Sequence, residues 1–387
     1  MALDTLPPST RDAADADAAA DADAAFMRRA VRLAERGRCT AAPNPWVGCV
    51  LVRDGQVIGE GYHRRAGEPH AEPRALAIAG ERARGSTAYV TLEPCAHFGR
   101  TPPCVDALIE AGVRGVVVGV LDPDPRVAGR GVDRLRAVGI QTSVGVCADE
   151  VAASLEPYLY QRRTGLAYCV LKSAMSLDGR TAAADGSSRW ITDVAARADA
   201  HTLRAQSQAI IVGSGTALAD LPSLTVRDVA ELPDRQPLRV LLDARGRVPA
   251  RGPLFDVRQA PTLVITSSAV DGDRRSEWEA AGTEVALGRL APDGGLNLRA
   301  VLELLGERGV LQALVEGGAT LAGGFIRAGL VNRLVLYVGS RTLGEAARPL
   351  LAGPGPRSMA DAGRWRLHAV QQLGPDARLD YLAETAA

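Results

Sequence analysis

Four residues in segment 67–104 have the types and spacing of a metal site that carries out chemistry. His70, Cys95 and Cys104 offer one nitrogen and two sulfur ligands, and Glu72 follows the histidine by two residues. Zinc in a catalytic site takes three protein ligands of this kind and keeps a fourth position for water. The segment therefore predicts a zinc ion that activates water, with Glu72 as the group that moves protons.

The elements predicted around these residues place them at element boundaries. Side chains at positions i and i+2 of a helix point apart, so His70 and Glu72 fit best at the entrance of a helix that begins near Ala71. Pro73 agrees, because proline is tolerated in a first helical turn. "TPPCVDALIEAG" puts Cys104 at the start of another helix, where the helix N-terminus favours a thiolate. The order H-x-E followed by P-C is also the signature of zinc deaminases.

Two other interpretations of the metal ligands stay open at this point. A purely structural zinc site would need a fourth ligand, for which His63 and His97 are the candidates. A zinc-stabilised binding module without catalysis would need neither Glu72 nor an open position on the metal. The other cysteines and two isolated histidines are expected to be packing or surface residues: Cys39, Cys49, Cys147, Cys169, His201 and His368.

Length and charge limit the kind of protein. A chain of 387 residues is long enough for two domains with separate cores. Its 45 basic and 45 acidic residues leave a net charge of zero, which argues against a nucleic-acid partner. No apolar run reaches the roughly 18 residues of a membrane span, and six cysteines without framework spacing fit a reducing compartment. We expect a cytoplasmic protein with a small-molecule substrate and no membrane partner, and homo-oligomer formation is left open.

The hydrophobic pattern divides the chain into four segments. Residues 1–25 are rich in Ala and Asp and are expected to be a disordered tail. Residues 26–148 alternate helices and strands, including a hairpin that turns at Asp54-Gly55, and form a small α/β domain. Residues 149–165 read as a connecting helix. Residues 166–387 begin a second α/β domain with buried strands near "AIIVGSG", "LRVLLDA", "PTLVITS", "LQALVEGG" and "NRLVLYVGS".

The chain contains a single lysine, Lys172, and the other 44 basic residues are arginines. A lysine that persists against such a bias suggests a position where guanidinium cannot replace ammonium, since an ammonium is compact and can give up a proton when buried. We therefore predict a catalytic role for Lys172.

Several motifs resemble one enzyme family across residues 26–384. "PNPWVGCVLV", "GYHRRAGEPHAE", "VTLEPCAHFGRTPPC" and "DPRVAGRG" are similar to the deaminase half of the bifunctional riboflavin-biosynthesis deaminase/reductase family. "LKSAMSLDGRTA", "RAQSQAIIVGSGT" and "VEGGATLAGGF" are similar to its reductase half. The resemblance implies a cytidine-deaminase-like three-layer domain with one zinc ion, followed by a dihydrofolate-reductase-like domain that uses NADPH. The remaining alternative enzyme is another zinc nucleobase deaminase with an unrelated C-terminal domain.

The same resemblance implies roles for further residues. The resemblance places the pyrimidine against Asn44 and the ribosyl end of the substrate near Lys172. Asp124 and Leu221 depart from the usual family residues at their positions. Cofactor-binding residues would be Ala174, Trp190, Thr216, Asp220, Gly318, Ala319, Thr320, Leu321, Ala322, Gly323 and Gly324. Substrate-binding residues of the reductase would be Ser188, Arg204, Leu224, Arg227 and Glu316.

Overall fold

The computed structural model of the chain describes residues 10–99, 102–229, 232–233 and 235–384, with side chains from residue 18 onward. The chain forms two compact units, of which the first ends at Arg163 and the second begins at Thr164. Each unit is built on its own β-sheet. None of the helices in this part of the chain has the length and apolar character needed to cross a membrane.

The first unit is a five-stranded sheet covered by helices. Its strands run in the order β2-β1-β3-β4-β5, with β1 antiparallel to β2 and β3, and with β3, β4 and β5 parallel. The strands are β1 (Gly48–Arg53), β2 (Gln56–Tyr62), β3 (Thr87–Leu92), β4 (Gly115–Val120) and β5 (Gln141–Val144). The helices are α1 (Thr10–Glu35), α2 (Ala71–Ala79), α3 (Cys104–Glu110), α4 (Arg130–Ala137) and α5 (Ala148–Thr164).

Glycines of β2 fix the position of the helix that carries Glu72. A Cβ atom on Gly61 would lie 2.2 Å from the carbonyl oxygen of Ala71, and one on Gly59 would lie 2.3 Å from that of Ala75. The backbone of α2 can therefore approach the sheet only because these side chains are absent. The buried alanines of α2 complete the contact with the core. This close packing fixes the N-terminus of α2, next to His70, against the sheet.

The second unit contains a nine-stranded sheet in the order β11-β10-β9-β8-β12-β6-β13-β16-β15. Neighbours from β11 to β13 are parallel, whereas β16 is antiparallel to β13 and β15. The strands are β6 (Tyr168–Met175), β7 (Arg180–Ala182), β8 (Ala209–Gly213), β9 (Leu238–Leu242), β10 (Thr262–Thr266), β11 (Glu284–Leu287), β12 (Gln312–Val315), β13 (Arg333–Val338), β14 (Arg348–Pro349), β15 (Trp365–Leu373) and β16 (Asp376–Ala383). The helices are α6 (Val194–Ala205), α7 (Ser214–Asp220), α8 (Gly272–Ala280), α9 (Leu298–Glu307) and α10 (Ala319–Arg327). Strands β7 and β14 form a separate antiparallel pair.

Many of the predicted elements are present. The hairpin between β1 and β2 turns at Asp54 and Gly55, whose φ angles of 52° and 73° are those of a tight two-residue turn. The five quoted buried strands of the second half correspond to β8, β9, β10, β12 and β13. The predicted connecting helix is α5, which packs within the first unit through buried Val151 and Leu155.

The predicted disorder of residues 1–25 is wrong for residues 10–25, which lie in α1. Alanine has the highest helix propensity of all residues, so the Ala-rich segment extends the helix whose later turns pack on the sheet. The phenol of Tyr89 also donates a hydrogen bond of 2.5 Å to Asp23. Residues 1–9 lie outside the described residues.

Candidate active site

Three predicted zinc ligands come together in the first unit. His70 directly precedes α2, Cys95 lies in the loop after β3, and Cys104 is the first residue of α3. His70 Nδ1 lies 3.2 Å from Cys104 Sγ and 3.7 Å from Cys95 Sγ, and all ligand atoms lie within 4.8 Å of one another. The backbone N–H of Cys104 donates to Cys95 Sγ at 3.3 Å. This His-Cys-Cys cluster (His70, Cys95 and Cys104) has the donor set and the spacing of a catalytic zinc site.

The electrostatics of the cluster favour a thiolate. Hydrogen bonds from the Cys104 thiol and from His70 lower the pKa of Cys95 to about 4, although burial alone would raise it. The pKa of Cys104 is raised, first by its hydrogen bond to Cys95 and then by burial. A thiolate is the form in which cysteine binds metal, so the cluster is suited to a zinc ion.

Neither candidate fourth ligand belongs to this cluster. His63 stands edge-on to His70 with ring centroids 5.0 Å apart. Its Nε2 lies 3.1 Å from Asn44 Nδ2, and its Nδ1 lies 3.3 Å from the carbonyl oxygen of Pro69. His97 is likewise absent from the group of ligand atoms among the described residues. The arrangement is therefore that of a three-ligand site, which leaves a coordination position for water.

Glu72 lies in the first turn of α2 and is only 3% exposed. Burial raises the pKa of its carboxyl group, although the neighbouring His70 lowers it. The neighbouring Cys104 side chain is a smaller cause that also lowers the pKa of the Glu72 carboxyl group. Its position beside the ligands meets the requirement for a general acid and base that serves a metal-activated water.

A cavity of about 450 Å³ lies over the cluster. His70, Glu72 and Cys95 line part of it, and Asn44 and His63 line another part. Burial and the charge of His70 lower the pKa of His63 to about 4, so this ring is neutral at pH 7. Asn44 and His63 therefore present neutral hydrogen-bonding groups to the cavity.

The second unit contains a separate buried charge cluster around Lys172. Strands β6 and β12 are parallel, and Leu171 is paired with Val315. The next residue of each strand, Lys172 and Glu316, therefore lies beside the other. Lys172 Nζ lies 3.9 Å from Glu316 Oε2. The guanidinium of Arg204, on α6, donates to both oxygens of Glu316 at 2.6 and 2.9 Å. We call Lys172, Arg204 and Glu316 the Lys172 cluster.

Burial and mutual charge set the protonation of the Lys172 cluster. Burial lowers the pKa of Lys172, although Glu316 raises it. Burial alone would raise the pKa of Glu316, but the charges of Arg204 and Lys172 prevail and lower it to about 2. Lys172 Nζ also lies 5.6 Å from the centre of the Tyr337 ring, within the range of a cation–π contact. The cluster therefore presents an ammonium group that can exchange a proton.

Comparison with known proteins agrees with two chemistries in one chain. Residues 20–120 match the cytidine and deoxycytidylate deaminase zinc-binding region, and residues 167–379 match the RibD C-terminal domain. The riboflavin biosynthesis protein RibD of Escherichia coli K12 is 46% identical over 370 residues, which span 92% of this chain and 98% of that protein. The chain belongs to the RibD family.

Solved structures of the RibD family agree with this assignment. Acinetobacter baumannii RibD is 41% identical with a TM-score of 0.85, covering 95% of this chain and 100% of its own. A Thermotoga maritima diaminohydroxyphosphoribosylaminopyrimidine deaminase/5-amino-6-(5-phosphoribosylamino)uracil reductase is 32% identical with a TM-score of 0.82, covering 94% and 99%.

These matches confirm the predicted fold classes, a cytidine-deaminase-like unit followed by a dihydrofolate-reductase-like unit. The chain is a bifunctional enzyme of riboflavin biosynthesis, with a zinc-binding deaminase and a reductase that uses a nicotinamide-type cofactor. A deaminase with an unrelated C-terminal domain and a non-catalytic zinc protein are both disfavoured, because the second half is itself a RibD reductase domain.

The residues predicted for the reductase site lie in several parts of the second unit. Besides the Lys172 cluster, Thr216 on α7 accepts a hydrogen bond of 2.9 Å from the backbone N–H of Gly318, which joins α7 to the loop before α10. Ser188 and Trp190 lie together in the loop between β7 and α6. In the described part of the chain, no hydrogen bond or ion pair joins Ser188, Trp190 or Asp220 to the Lys172 cluster.

The loop between α7 and β9 carries the other predicted substrate residues. The guanidinium of Arg204 donates to the carbonyl oxygen of Thr225 at 3.0 Å, which ties this loop to the Lys172 cluster. Leu224 is buried within the loop, whereas the side chain of Arg227 is 57% exposed. Leu221, the departure from the family pattern, is 56% exposed, and its φ angle of 44° is left-handed.

Several residues of the two sites were missed at the sequence level. In the deaminase unit Asp122, Arg126, Tyr158 and Arg162 line the cavity, and of these only Arg126 lies in a motif quoted above, "DPRVAGRG". In the reductase unit the phenol of Tyr337 donates to Asp199 at 2.6 Å beneath Lys172. The local sequence pattern assigns none of these residues a role, because they come together only when separate elements pack.

Proposed function

We propose that the chain catalyses two successive reactions on one pyrimidine substrate. The first is hydrolytic removal of an amino group from 2,5-diamino-6-(5-phosphoribosylamino)pyrimidin-4(3H)-one. The second is NADPH-dependent reduction of the ribosyl group of the product to ribityl. The proposal is supported by the membership of the RibD family and by the two reactions for which the Thermotoga maritima relative is named.

In the first reaction His70, Cys95 and Cys104 would hold one zinc ion per chain. When bound, zinc supplies Lewis-acid activation of water near neutral pH. Glu72 takes one proton from the attacking water and delivers it to the ring nitrogen. It then takes the proton of the new hydroxyl group on the ring carbon and passes it to the amino group, so that ammonia leaves and a carbonyl group remains. Asn44, which contacts His63 in the same cavity, would orient the pyrimidine through its amide.

The observation that carries this proposal is the position of Glu72. A carboxylate that is 3% exposed is costly to bury without a function, and this one lies beside three ligand atoms within 4.8 Å of one another. A structural zinc site would gain nothing from a buried carboxylate that does not bind the metal.

In the second reaction Lys172 would act on the ribosyl ring. As the bond between C1′ and the ring oxygen breaks, the ammonium donates a proton to that oxygen, and the amine nitrogen forms a double bond to C1′. NADPH supplies the hydride that reduces this carbon. Glu316, held by Arg204, keeps Lys172 charged and in place before the proton transfer. Arg227, with its exposed side chain, would pair with the substrate phosphate.

The assignment of cofactor and substrate is tested by following both products at once. The zinc-loaded protein is incubated with the diaminopyrimidine substrate and either NADPH or NADH, while ammonia release and loss of nicotinamide absorbance are recorded. We expect ammonia first, then oxidation of NADPH in equal molar amount. Absence of both signals would overturn the proposal, and oxidation without ammonia would show that the deaminase acts on another compound. Cytoplasmic location and the absence of a nucleic-acid partner stay predictions from composition.

A further inference from the structure

Two arginines line the cavity of the deaminase unit, away from the His-Cys-Cys cluster in the sequence. Arg126 lies in the loop after β4, and Arg162 lies in the last turn of α5. Among the described residues that line this cavity, they are the only side chains with a guanidinium or ammonium group. The cavity also contains the carboxyl groups of Glu68, Glu72, Glu93, Asp122 and Asp124. Because these carboxyl groups repel anions, an anionic ligand can bind in this cavity only beside the positively charged arginine side chains.

Asp124 holds Arg126 in a defined direction. Its Oδ1 accepts hydrogen bonds of 3.0 Å from the backbone N–H and from Nε of Arg126, and its Oδ2 accepts one of 2.6 Å from Nη2. Arg162 Nε lies 3.8 Å from the same Oδ2. The side chain of Asp124 is only 8% exposed, and its hydrogen bonds to Arg126 lower its pKa to about 2. Two guanidinium groups around one carboxylate leave this group of three residues with a net positive charge.

Arg162 is held from a different side. Its guanidinium carbon lies 5.1 Å from the centre of the Tyr158 ring, and Nη1 donates to Gln161 at 2.9 Å. Tyr158 is fixed in turn, because its phenol donates to both oxygens of Asp122 at 3.0 and 3.1 Å. The Nε atom of Arg162 is buried and has no hydrogen-bond partner in the described part of the chain.

Glu93 makes the loop that carries Arg126 rigid. Its two carboxylate oxygens accept hydrogen bonds from the backbone N–H groups of Asp122, Gly129, Gly131 and Val132, at 2.9 to 3.4 Å. The carboxylate is therefore fully occupied at the start of α4, where the helix dipole also favours it. It does not compete for the arginines, and it fixes the direction of the loop that presents them.

We propose that Arg126 and Arg162 form the subsite for the phosphate of the deaminase substrate. This inference rests on the proposed function, which brings a phosphorylated ribosylamine into the cavity. The pyrimidine must reach Glu72, so the phosphate lies a ribose length away, and a phosphate dianion needs paired donors of the guanidinium type. The side chain of Arg126 is 68% exposed and that of Arg162 is 27% exposed, so Arg126 is the more accessible of the two. Asp124 orients both and acts as a positioning residue.

The test compares the substrate with its dephosphorylated riboside in Arg126→Gln, Arg162→Gln and the double variant. We expect KM for the phosphorylated substrate to rise about tenfold in each single variant, because each substitution removes one charge-assisted hydrogen bond to the phosphate. Deamination of the riboside and zinc content should not change. Arg134→Gln serves as the matched control, since Arg134 pairs with Asp106 at 2.5 Å and does not line the cavity. An equal loss of activity with both substrates, or unchanged kinetics with both, would contradict the proposed phosphate subsite.

A binding measurement separates this inference from the proposed function. Ribose 5-phosphate is titrated calorimetrically into the zinc-loaded wild-type protein and the double variant, with ribose as the control ligand. We expect the double variant to lose one ribose 5-phosphate site, whether or not the protein deaminates the proposed substrate. Identical isotherms for the two proteins would contradict the subsite. Loss of the site in a protein that releases no ammonia would contradict only the choice of substrate.

Discussion

Glu72 is the side chain on which the proposed first reaction depends most directly. The change Glu72→Gln keeps the size of the side chain but removes its ability to carry a proton, while the metal ligands stay in place. We expect zinc content equal to wild type and ammonia release lowered at least about a hundredfold, the usual range for a lost general acid and base. Metal analysis together with an ammonia assay checks this. A variant that deaminates at the wild-type rate would remove Glu72 from the mechanism.

Lys172 is the corresponding residue of the proposed second reaction. Lys172→Arg preserves charge but places a wide guanidinium, which is always protonated, beside Arg204 in a buried site. Reductase turnover should fall at least about tenfold, or roughly 1.4 kcal/mol of transition-state stabilisation. Steady-state oxidation of NADPH on the deaminated substrate measures this, with deamination as the internal control. Unchanged reductase kinetics would mean that the single lysine is an accident of composition.

Glu316 links the reductase site to the pH dependence of stability. Its pKa of about 2 in the folded protein lies below its ordinary value of 4.5. Ionised Glu316 therefore stabilises the fold above about pH 4.5, and this contribution is lost as the pH falls towards 2. Glu316→Gln should lower the free energy of unfolding at pH 7 by about 3 kcal/mol, because Arg204 and Lys172 then lack their partner.

Urea unfolding at a series of pH values checks this prediction. The difference in free energy of unfolding between wild type and Glu316→Gln should be constant from pH 7 to about pH 5 and shrink at lower pH. A difference that grows on acidification would show that Glu316 is protonated in the folded protein, with the opposite sign of linkage.

At the scale of elements, α1 is the place where the structure changes an expectation. The Ala/Asp segment is expected from sequence to be a disordered tail, yet Asp23 accepts a hydrogen bond from Tyr89, and the Cys147 thiol donates to the carbonyl oxygen of Ala24 at 3.7 Å. Residues 18–20 are exposed. Deleting residues 1–20 should leave the melting temperature unchanged. Deleting residues 1–25 should cost about 1 kcal/mol, or a few degrees, through the lost contacts. Calorimetry of the two truncated proteins measures both melting temperatures. Equal melting temperatures for the two truncations would contradict a stabilising contact of Asp23.

The elements also explain which parts of the sites could be read from sequence. Two of the predicted zinc ligands lie at the start of a helix, His70 just before α2 and Cys104 as the first residue of α3. The prolines around them mark these boundaries, so the local sequence pattern was enough to predict their positions. The strand β15 was missed because nearly all its residues are exposed, which leaves no apolar alternation to detect. Arg126 lies in a loop and Arg162 in a helix, and the two come close together only when the unit packs. No local sequence pattern therefore predicts that they are neighbours.

At the scale of the whole molecule, the two chemistries use separate sets of residues. The His-Cys-Cys cluster, Glu72 and the cavity over them are built entirely from the first unit, and the Lys172 cluster entirely from the second. Each unit has its own sheet, and the carboxylate of Glu316 accepts its hydrogen bonds from Arg204 of the second unit. Damage to one site should therefore leave the other reaction intact.

Cys104→Ser is the change that tests this account most directly, with zinc content and both activities measured on one preparation. Wild type should contain one zinc ion per chain and perform both reactions. The variant should lose zinc and ammonia release, yet oxidise NADPH at the wild-type rate when the deaminated substrate is supplied. Retention of deamination without zinc, or loss of both activities in a folded variant, would contradict a zinc deaminase and an independent reductase in one chain.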